Sequence, residues 1–288
     1  MPTELDKLRR QIDEIDTALH DLMQKRTAVV ERIGAVKGAD GRLALRPGRE
    51  AMVLRRLLDR HTGNFPRAAL MRMWREMISA VTGLQSPFSV AVCVPEEQRG
   101  FWDMARDHFG IQVTMRRHTT PARVLSDIAE DPNVVGMLPI PVEGDPQPWW
   151  PGLNGNEPPA PSIVARAPFF RTGNPRTEGL SALILARIRP EPSAPANSGL
   201  DRSLLVLDSP SDLSRSRISA ALAAAGLPAF TSAIRHDLAG GGMLYLVELP
   251  AFIIDGDEAL PALEQALATP GVRLTPVGAY AVPVDLVG

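Results

Sequence analysis

Apolar residues recur at alternating steps of three and four along the first part of the chain. The apolar seam is formed by Leu5, Leu8, Ile12, Ile15, Leu19, Leu22, Val29, Ile33 and Val36. This spacing predicts one amphipathic helix from about Glu4 to Val36, which at about 1.5 Å per residue is roughly 50 Å long. A domain of this size cannot cover so long a helix by itself, so the pattern also predicts pairing with another chain.

One basic residue interrupts the seam. The step between Leu22 and Val29 should carry an apolar residue at position 26, and the chain has Arg26 there. A guanidinium among apolar side chains costs several kcal/mol unless an anion meets it. If that anion is not a carboxylate of the protein, such as Glu31 or Glu50, it is a ligand.

Two further helices are predicted before residue 88. The first runs from about Gly48 to Arg60, and the second begins near Pro66 and ends before Pro87. The inward residues predicted for the second are Leu70, Met73, Trp74, Met77, Ile78, Val81 and Leu84. Residues 1–87 are therefore predicted to form an all-helical domain.

The next hundred residues alternate between strand and helix patterns. Strands are predicted at 88–94, 111–115, 134–140, 162–167 and 180–188, and helices at 96–109 and 121–130. This order predicts a parallel sheet covered by helices over residues 88–189. A loop rich in Pro, Gly and Trp interrupts it, and we expect Trp149 and Trp150 to be packed there.

A third pattern follows a stretch rich in Pro, Ser and Ala. That stretch, residues 190–201, is predicted to be a linker. Residues 202–288 then follow the order βαββαβ, a ferredoxin-like arrangement. The turn Gly240–Gly242 is predicted to join the two middle strands as a hairpin. The sequence thus predicts three domains, one helical and two of mixed α/β type.

Composition narrows the class of protein. Hydrophobic content of 44%, charged content of 22% and a net charge of −2 are ordinary for a globular protein and point to neither nucleic acid nor a membrane surface. The single cysteine, Cys93, excludes a disulfide framework and an all-cysteine metal site, and its predicted strand suggests burial. No signal-peptide pattern or long apolar run is present, so we expect a cytoplasmic protein.

Charge is unevenly distributed along the chain. Residues 1–87 contain 16 Lys and Arg against 11 Asp and Glu, whereas the remainder carries an acidic excess. A basic helical domain suits a small anionic ligand, although solvated helix faces are a common alternative.

Several polar residues lie beside the apolar positions of the three helices. They are Arg9, Arg26, Lys37, Arg49, Glu50 and Gln85. The planar forks of arginine suit carboxylates, and a lysine with a neighbouring amide can stabilise one developing oxyanion. The set contains no serine–histidine pair, metal cluster or phosphate loop, so covalent catalysis is not expected.

Three stretches resemble the all-helical chorismate mutases. LRRQIDEIDTALHDLMQKRTAVVERIGAVK is similar to the first helix of that family, REAMVLRRL to the second and WREMISAVTGLQ to the third. The resemblance covers residues 4–86. It implies an intertwined homodimer that converts chorismate to prephenate with no cofactor and no metal.

The resemblance also implies catalytic residues. Lys37 and Gln85 would bracket the ether oxygen whose bond breaks, and Glu50 would accept a hydrogen bond from the ring hydroxyl.

The same resemblance implies substrate-binding residues. Arg26 and Arg49 would hold substrate carboxylates, and Arg9 would reach in from the other subunit. Two positions depart from the family pattern, because Arg46 replaces an acidic residue and Val81 replaces a small hydroxyl residue. Arg46 is kept among the binding candidates, since it could make a carboxylate or phosphate contact of its own.

The last two segments resemble a shortened prephenate dehydratase with its regulatory ACT domain. VVGMLPIPVEG, LSALILARI and LTPVGAYAVP carry this resemblance. Pro141 and Val142 stand where the family has an asparagine–serine pair. In the family's threonine–arginine–phenylalanine motif, Ser181 could replace the threonine, but Ala182 and Leu183 replace the other two. We therefore expect a degenerate domain without dehydratase activity, followed by an ACT-like domain that either binds an amino-acid effector or serves as a scaffold.

Three functions remain open at this point. The leading one is a chorismate mutase of aromatic amino-acid biosynthesis whose partners are its substrate and a second copy of itself. The others are a bifunctional chorismate mutase–prephenate dehydratase and a non-catalytic regulatory or scaffold protein of the same pathway. No nucleic-acid or membrane partner is expected.

Overall fold

The computed structural model describes residues 3–37, 43–154, 160–171, 174–196, 198–238 and 241–286, with only the backbone of Lys37. A helical N-terminal region is followed by a large mixed α/β sheet. The three N-terminal helices are α1 (Glu4–Lys37), α2 (Pro47–Arg60) and α3 (Arg67–Gln85). Their predicted bounds are confirmed to within two residues.

The apolar seam of α1 is exposed in the single chain. From Leu5 to Ile33 its side chains are 44–60% exposed. Among the other elements α1 packs on α3, and the predicted burial of its seam by a second chain stays a prediction. Such a continuous apolar stripe on a long helix is the surface by which helices pair.

Helix α3 presents a different face to the protein than its sequence suggests. The buried side chains are Met71, Arg75, Ile78, Val81 and Thr82. Met73 and Leu84, predicted to point inward, are 56% and 63% exposed. Ile78 and Val81 are buried as predicted, but α3 packs on α1, α2 and α4 with Met71 and Ile78 beside Phe169 and Phe170, and this leaves part of the more apolar face uncovered.

The nine strands found in the described ranges belong to one sheet. They are β1 (Ser89–Cys93), β2 (Thr114–His118), β3 (Val134–Pro139), β4 (Ser162–Ala167), β5 (Ala182–Ala186), β6 (Asp201–Ser209), β7 (Ser232–Asp237), β8 (Met243–Leu249) and β9 (Arg273–Ala281). The strand order is β2-β1-β3-β5-β4-β9-β6-β8-β7. The two segments that the sequence treats as separate domains therefore share a sheet, in which β4 and β9 pair at Ile163 and Gly278.

The first half of this sheet is only partly parallel. Strands β1, β2 and β3 are parallel, as predicted, but β5 runs antiparallel to both β3 and β4. The expectation of a parallel sheet over residues 88–189 is therefore corrected to a mixed one. Strand β2 also lies three residues later than predicted, because it is an edge strand whose polar side chains tolerate exposure.

Four helices complete the fold, at α4 (Gly100–Phe109), α5 (Pro121–Glu130), α6 (Arg215–Ala224) and α7 (Ala259–Leu267). The predicted order βαββαβ of the C-terminal segment is confirmed, and the pairings among its own strands are antiparallel. Of the predicted glycine turn, Gly240 lies outside the described residues.

Alternate residues of each strand line the two faces of the sheet. Ala91 and Cys93 belong to a core on one face, which α5 and the loop bearing Trp149 and Trp150 cover. Val90 belongs to a second core on the opposite face, under α4. The tryptophans are buried, which confirms a packed loop, and burial raises the pKa of Cys93 to about 11.

The predicted linker is attached to the rest of the protein. Glu191 bonds to the start of α2, and Ser193 is buried against Asp201. Residues 190–201 connect β5 to β6, and part of this stretch lies against α2 and the first residue of β6.

We predict that Gly278→Ala uncouples the two halves of the sheet. A Cβ at this position, where φ is +144°, would lie 2.1 Å from the carbonyl oxygen of Ile163. The strands would have to separate, which is expected to lower the free energy of unfolding by about 2 kcal/mol or more. Urea unfolding followed by circular dichroism measures this. Gly152→Ala, which meets open space, is the control, and equal stability of the two variants would contradict the prediction.

Candidate functional site

Arg26 is half-buried on α1, and no carboxylate among the described residues pairs with it. Its Nη1 atom is buried and has no hydrogen-bond partner within the described part of the chain. Burial lowers the pKa of this guanidinium. Neither Glu31 nor Glu50 pairs with it, since the carboxylate of Glu50 is bound to Arg75. The arrangement leaves a desolvated cation that an anionic ligand could satisfy.

The ends of α1 and α3 meet. Gln85, half-buried, is the last residue of α3, and its Cγ atom lies 3.6 Å from where a Cβ on Gly34 would be. Gly34 is one turn before Lys37, the last residue of α1. The side chain of Lys37 lies outside the described residues. The backbone therefore brings Lys37 and Gln85, the two residues predicted to stabilise the developing oxyanion, to helix ends that lie side by side.

The first turn of α2 holds three more predicted residues. Arg49 is exposed, and its Nη1 atom lies 3.5 Å from Sδ of Met52. Arg46, just before the helix, donates from Nε to the carboxylate of Glu191 at 2.6 Å. Arg46 therefore makes the contact with a carboxylate that its sequence position suggested, and the partner is a protein group.

Glu50 forms a buried ion pair. Its Oε2 atom accepts a hydrogen bond from Nη1 of Arg75 at 2.8 Å, and the two side chains are 12% and 6% exposed. Burial raises the pKa of Glu50, and the charge of Arg75 and the backbone N–H of Arg46 oppose that rise. A carboxylate has about four acceptor positions, so this pairing is compatible with a further donor.

Arg75 connects the helices to the sheet. Its guanidinium carbon lies 5.2 Å from the centre of the Phe169 ring, a cation–π distance. Phe169 follows β4 closely and packs with Ala51 and Leu54 of α2 and with Met71 of α3. The ion pair, the ring and these apolar side chains thus form one contact between both helices and the sheet.

A small cavity lies between the helices and the sheet. It has a volume of about 20 Å³, and its lining includes Glu50, Arg75, Thr82, His108 and Phe169. This volume suits one water and not a substrate. Burial, with the charge of Arg75, holds the pKa of His108 well below its ordinary range.

Arg9 lies far from the other predicted residues of its own α1. It is 67% exposed, with Asp6 at 3.9 Å. Seventeen residues separate it from Arg26, which corresponds to roughly 25 Å along a helix. One chain therefore cannot bring both arginines to the same small ligand through α1 alone.

Sequence reasoning missed two residues that support this region. Arg75 carried a usable signal, because it interrupts the buried stripe of Met71 and Ile78 just as Arg26 interrupts the seam of α1. Glu191 carried none, since nothing local distinguishes it within its Pro-rich stretch.

Two classes of site or surface receive no support. Within the described ranges, no group of three or more His, Cys, Asp or Glu is placed to hold a metal ion. None of the described helices has the length and apolarity needed to cross a membrane.

We predict that His108 makes the protein less stable in acid. The unfolded chain takes up a proton near pH 6.5, whereas the folded protein resists protonation of this residue, so stability falls as pH decreases below 6.5. In His108→Gln that fall, measured between pH 6.5 and 5 by chemical unfolding, is expected to be smaller by up to about 2 kcal/mol. His20→Gln, an exposed substitution on α1, is the control. Identical pH profiles for His108→Gln and the parent protein would contradict the prediction.

Comparison with known proteins finds a matching family model and several relatives. Residues 8–86 match the family model "Chorismate mutase type II". The bifunctional chorismate mutase/prephenate dehydratase of Aquifex aeolicus is 30% identical over 129 residues, which is 43% of this chain and 34% of that protein. The intracellular chorismate mutase of Mycolicibacterium smegmatis is 41% identical over 56 residues, 19% of this chain and 54% of that protein.

A solved structure gives a weaker likeness. The prephenate dehydratase of Staphylococcus aureus superposes with a TM-score of 0.48 at 10% identity, over 67% of this chain and 100% of that one. The chain spans about a third of the length of the Aquifex relative. Residues 8–86 thus form a domain of the chorismate mutase type II family, and it is the 129 aligned residues that are homologous to the bifunctional chorismate mutase/prephenate dehydratase.

Proposed function

We propose that the helical domain converts chorismate to prephenate without a cofactor. The observation that carries this proposal is the half-buried guanidinium of Arg26, whose buried Nη1 atom has no hydrogen-bond partner among the described residues and which lies inside the segment that matches the mutase family. A desolvated cation with no protein anion is what a dicarboxylate substrate would satisfy.

Binding would rest on arginine forks. Arg26 and the exposed Arg49 each offer a guanidinium that pairs with no carboxylate among the described residues. Two such forks fix both carboxylates of the substrate and hold it in the folded shape from which the rearrangement proceeds. The conformational entropy of the substrate is then lost on binding, so less of it is lost between the bound substrate and the transition state.

Charge stabilisation would come from the meeting helix ends. In the rearrangement the ether C–O bond breaks as a new C–C bond forms, and negative charge grows on the oxygen. Lys37 and Gln85 end the two helices that meet near Gly34, so both could donate to that oxygen. Glu50 would accept from the ring hydroxyl while Arg75 holds its carboxylate.

A second copy of the chain would complete the site. The exposed seam of α1 needs a cover, and Arg9 lies too far along α1 to reach the site of its own chain. An antiparallel pairing of two α1 helices answers both needs, because it brings the start of one helix to the middle of the other.

The C-terminal half supports a regulatory or scaffold role. Its βαββαβ order fits the ACT-like domain that the sequence suggests, and an amino-acid effector there is part of the proposal.

In the preceding segment, Ser181 lines a cleft of about 450 Å³ with Arg166 and Arg171, a size that suits a small ligand. Ala182 and Leu183, which follow it, are buried and apolar, so dehydratase activity is not proposed.

Loss of chorismate absorbance on the full chain is the direct test of the proposed reaction. The same protein incubated with prephenate should form no phenylpyruvate. Formation of phenylpyruvate would establish the bifunctional alternative, and ligand-dependent thermal stabilisation without turnover would establish the non-catalytic one.

We predict that Arg26→Ala raises KM for chorismate. Loss of a charge-assisted bidentate contact in a partly buried position should raise KM by about tenfold or more and also lower kcat. Steady-state kinetics measures both constants. Lys25→Ala, at the exposed neighbouring position, is the matched control, and an Arg26→Ala variant that behaves like it would contradict the assignment.

We predict that Lys37→Ala and Gln85→Ala act mainly on kcat. Each removes one donor to the oxygen that becomes negative, and the loss of one such donor typically costs about 10²–10³ in rate. Near-normal turnover by Lys37→Ala would show that another group stabilises the oxygen.

We predict that Leu19→Asp breaks the dimer. A carboxylate in the middle of the α1 seam would have to be buried unpaired between two helices. Light scattering should give the monomer mass, and activity should fall with it because Arg9 is withdrawn. Asp13→Ala, outside the seam, is expected to remain dimeric. A monomeric parent protein, or a dimeric Leu19→Asp variant, would refute the pairing.

A further inference from the structure

A single carboxylate from the predicted linker holds the start of α2. Oε2 of Glu191 accepts from Nε of Arg46 at 2.6 Å and also contacts Nη2 of Arg46. Oε1 accepts from the backbone N–H of Arg49 at 3.0 Å. The helix has no side-chain cap from Arg46, the residue in its N-cap position. Glu191 therefore satisfies one of the N–H groups that a helix leaves open at its start.

The backbone around Glu191 is pressed against the helix. A Cβ on Gly48 would lie 2.6 Å from the carbonyl oxygen of Glu191 and 2.9 Å from that of Pro192. Only glycine leaves room for this approach. The contact is therefore built into both segments and does not depend on the two side chains alone.

The segment that bears Glu191 is itself anchored to the sheet. Ser193 is 2% exposed, and its backbone N–H bonds to the carboxylate of Asp201 at the start of β6. Arg55 of α2 donates to Oγ of Ser193 at 2.8 Å and to the carbonyl oxygen of Val282, just after β9, at 2.7 Å. Glu191 thus lies on a segment that is fixed to the sheet. Helix α2 is held at Arg49 and at Arg55, about one and a half turns apart.

The charges around Glu191 separate the arginines into two kinds. Arg46 is paired with Glu191, whereas the guanidinium of Arg49 contacts Sδ of Met52 and pairs with no carboxylate of the described ranges. If Arg46 were removed, the carboxylate of Glu191 would lose its paired cation at the start of α2, where it also accepts from the N–H of Arg49. Arg46 therefore neutralises Glu191 in this structure.

We propose that Glu191 is a positioning residue for the mutase site, which caps α2 so that Arg49 and Glu50 are held in place for the substrate. This inference rests on the proposed function. It also gives the sheet a task in the reaction, because the sheet carries the segment that reaches the helix. In this view Arg46 acts through Glu191 and not on the substrate.

The test compares Glu191→Ala with Glu191→Gln in the full chain. Glu191→Ala should raise KM for chorismate about fivefold to tenfold and change kcat less, because Arg49 binds a carboxylate in both ground and transition states. Glu191→Gln keeps an oxygen acceptor for the N–H of Arg49 and should restore KM to within about twofold of the parent value. Glu264→Gln, an exposed substitution on α7, is the control. A parental KM in Glu191→Ala, or a Glu191→Gln variant that is no better than Glu191→Ala, overturns the proposal.

The role of Arg46 is tested by a double substitution. If Arg46 acts through Glu191, Arg46→Ala combined with Glu191→Ala should have the KM of Glu191→Ala alone. A further rise in KM in the double variant would show that Arg46 binds the substrate itself, and would overturn that part of the proposal.

Hydrogen exchange separates this proposal from the proposed function. The amide of Arg49 should exchange about fivefold faster or more in Glu191→Ala than in the parent, whereas Glu264→Gln should match the parent. This readout needs no turnover. A parent protein without mutase activity would refute the function, and unchanged exchange at Arg49 would refute the cap.

Discussion

The buried ion pair between Glu50 and Arg75 is the interaction on which the arrangement of the helices depends. It joins α2 to α3, and the stacking of Arg75 on Phe169 joins both helices to the sheet. A buried pair of this kind adds little net stability over an apolar contact, but removing one partner is costly because the other charge is left buried without a counter-ion. It therefore fixes one relative placement of the elements, and it fixes the carboxylate of Glu50 at the same time.

The sequence predicted local structure better than it predicted which helices and strands pack against each other. Helix bounds followed from periodicity and proline positions, and most strands were found within a few residues. The face that α3 buries was predicted only in part, because Ile78 and Val81 are buried as expected whereas Met73 and Leu84 are exposed. The antiparallel course of β5 was also missed, since strand direction depends on the connection and not on residue pattern.

The candidate site was predictable where a charge broke an apolar pattern. Arg26 interrupts a seam, and its buried Nη1 atom has no partner in the part of the chain that the structure describes. The family resemblance indicated Gln85, and the backbone brings it to the end of α1. The role of Glu191 could not be predicted, because it depends on a contact between residues about 140 positions apart in a stretch whose composition indicates only a turn. Local patterns report on helices and strands, whereas such a contact is created only by the whole fold.

The joining of β4 to β9 has a consequence for how this chain can be divided. The two strands meet in the interior of a single sheet, so neither is an edge in the intact protein. A fragment that ended at residue 189 would leave the backbone groups of β4 unpaired along one side, and such an edge is a template for association with other copies. Gene fission or proteolysis in the 190–201 stretch would therefore yield two fragments with exposed sheet edges that are prone to aggregate. The shared sheet thus favours keeping this region as one polypeptide.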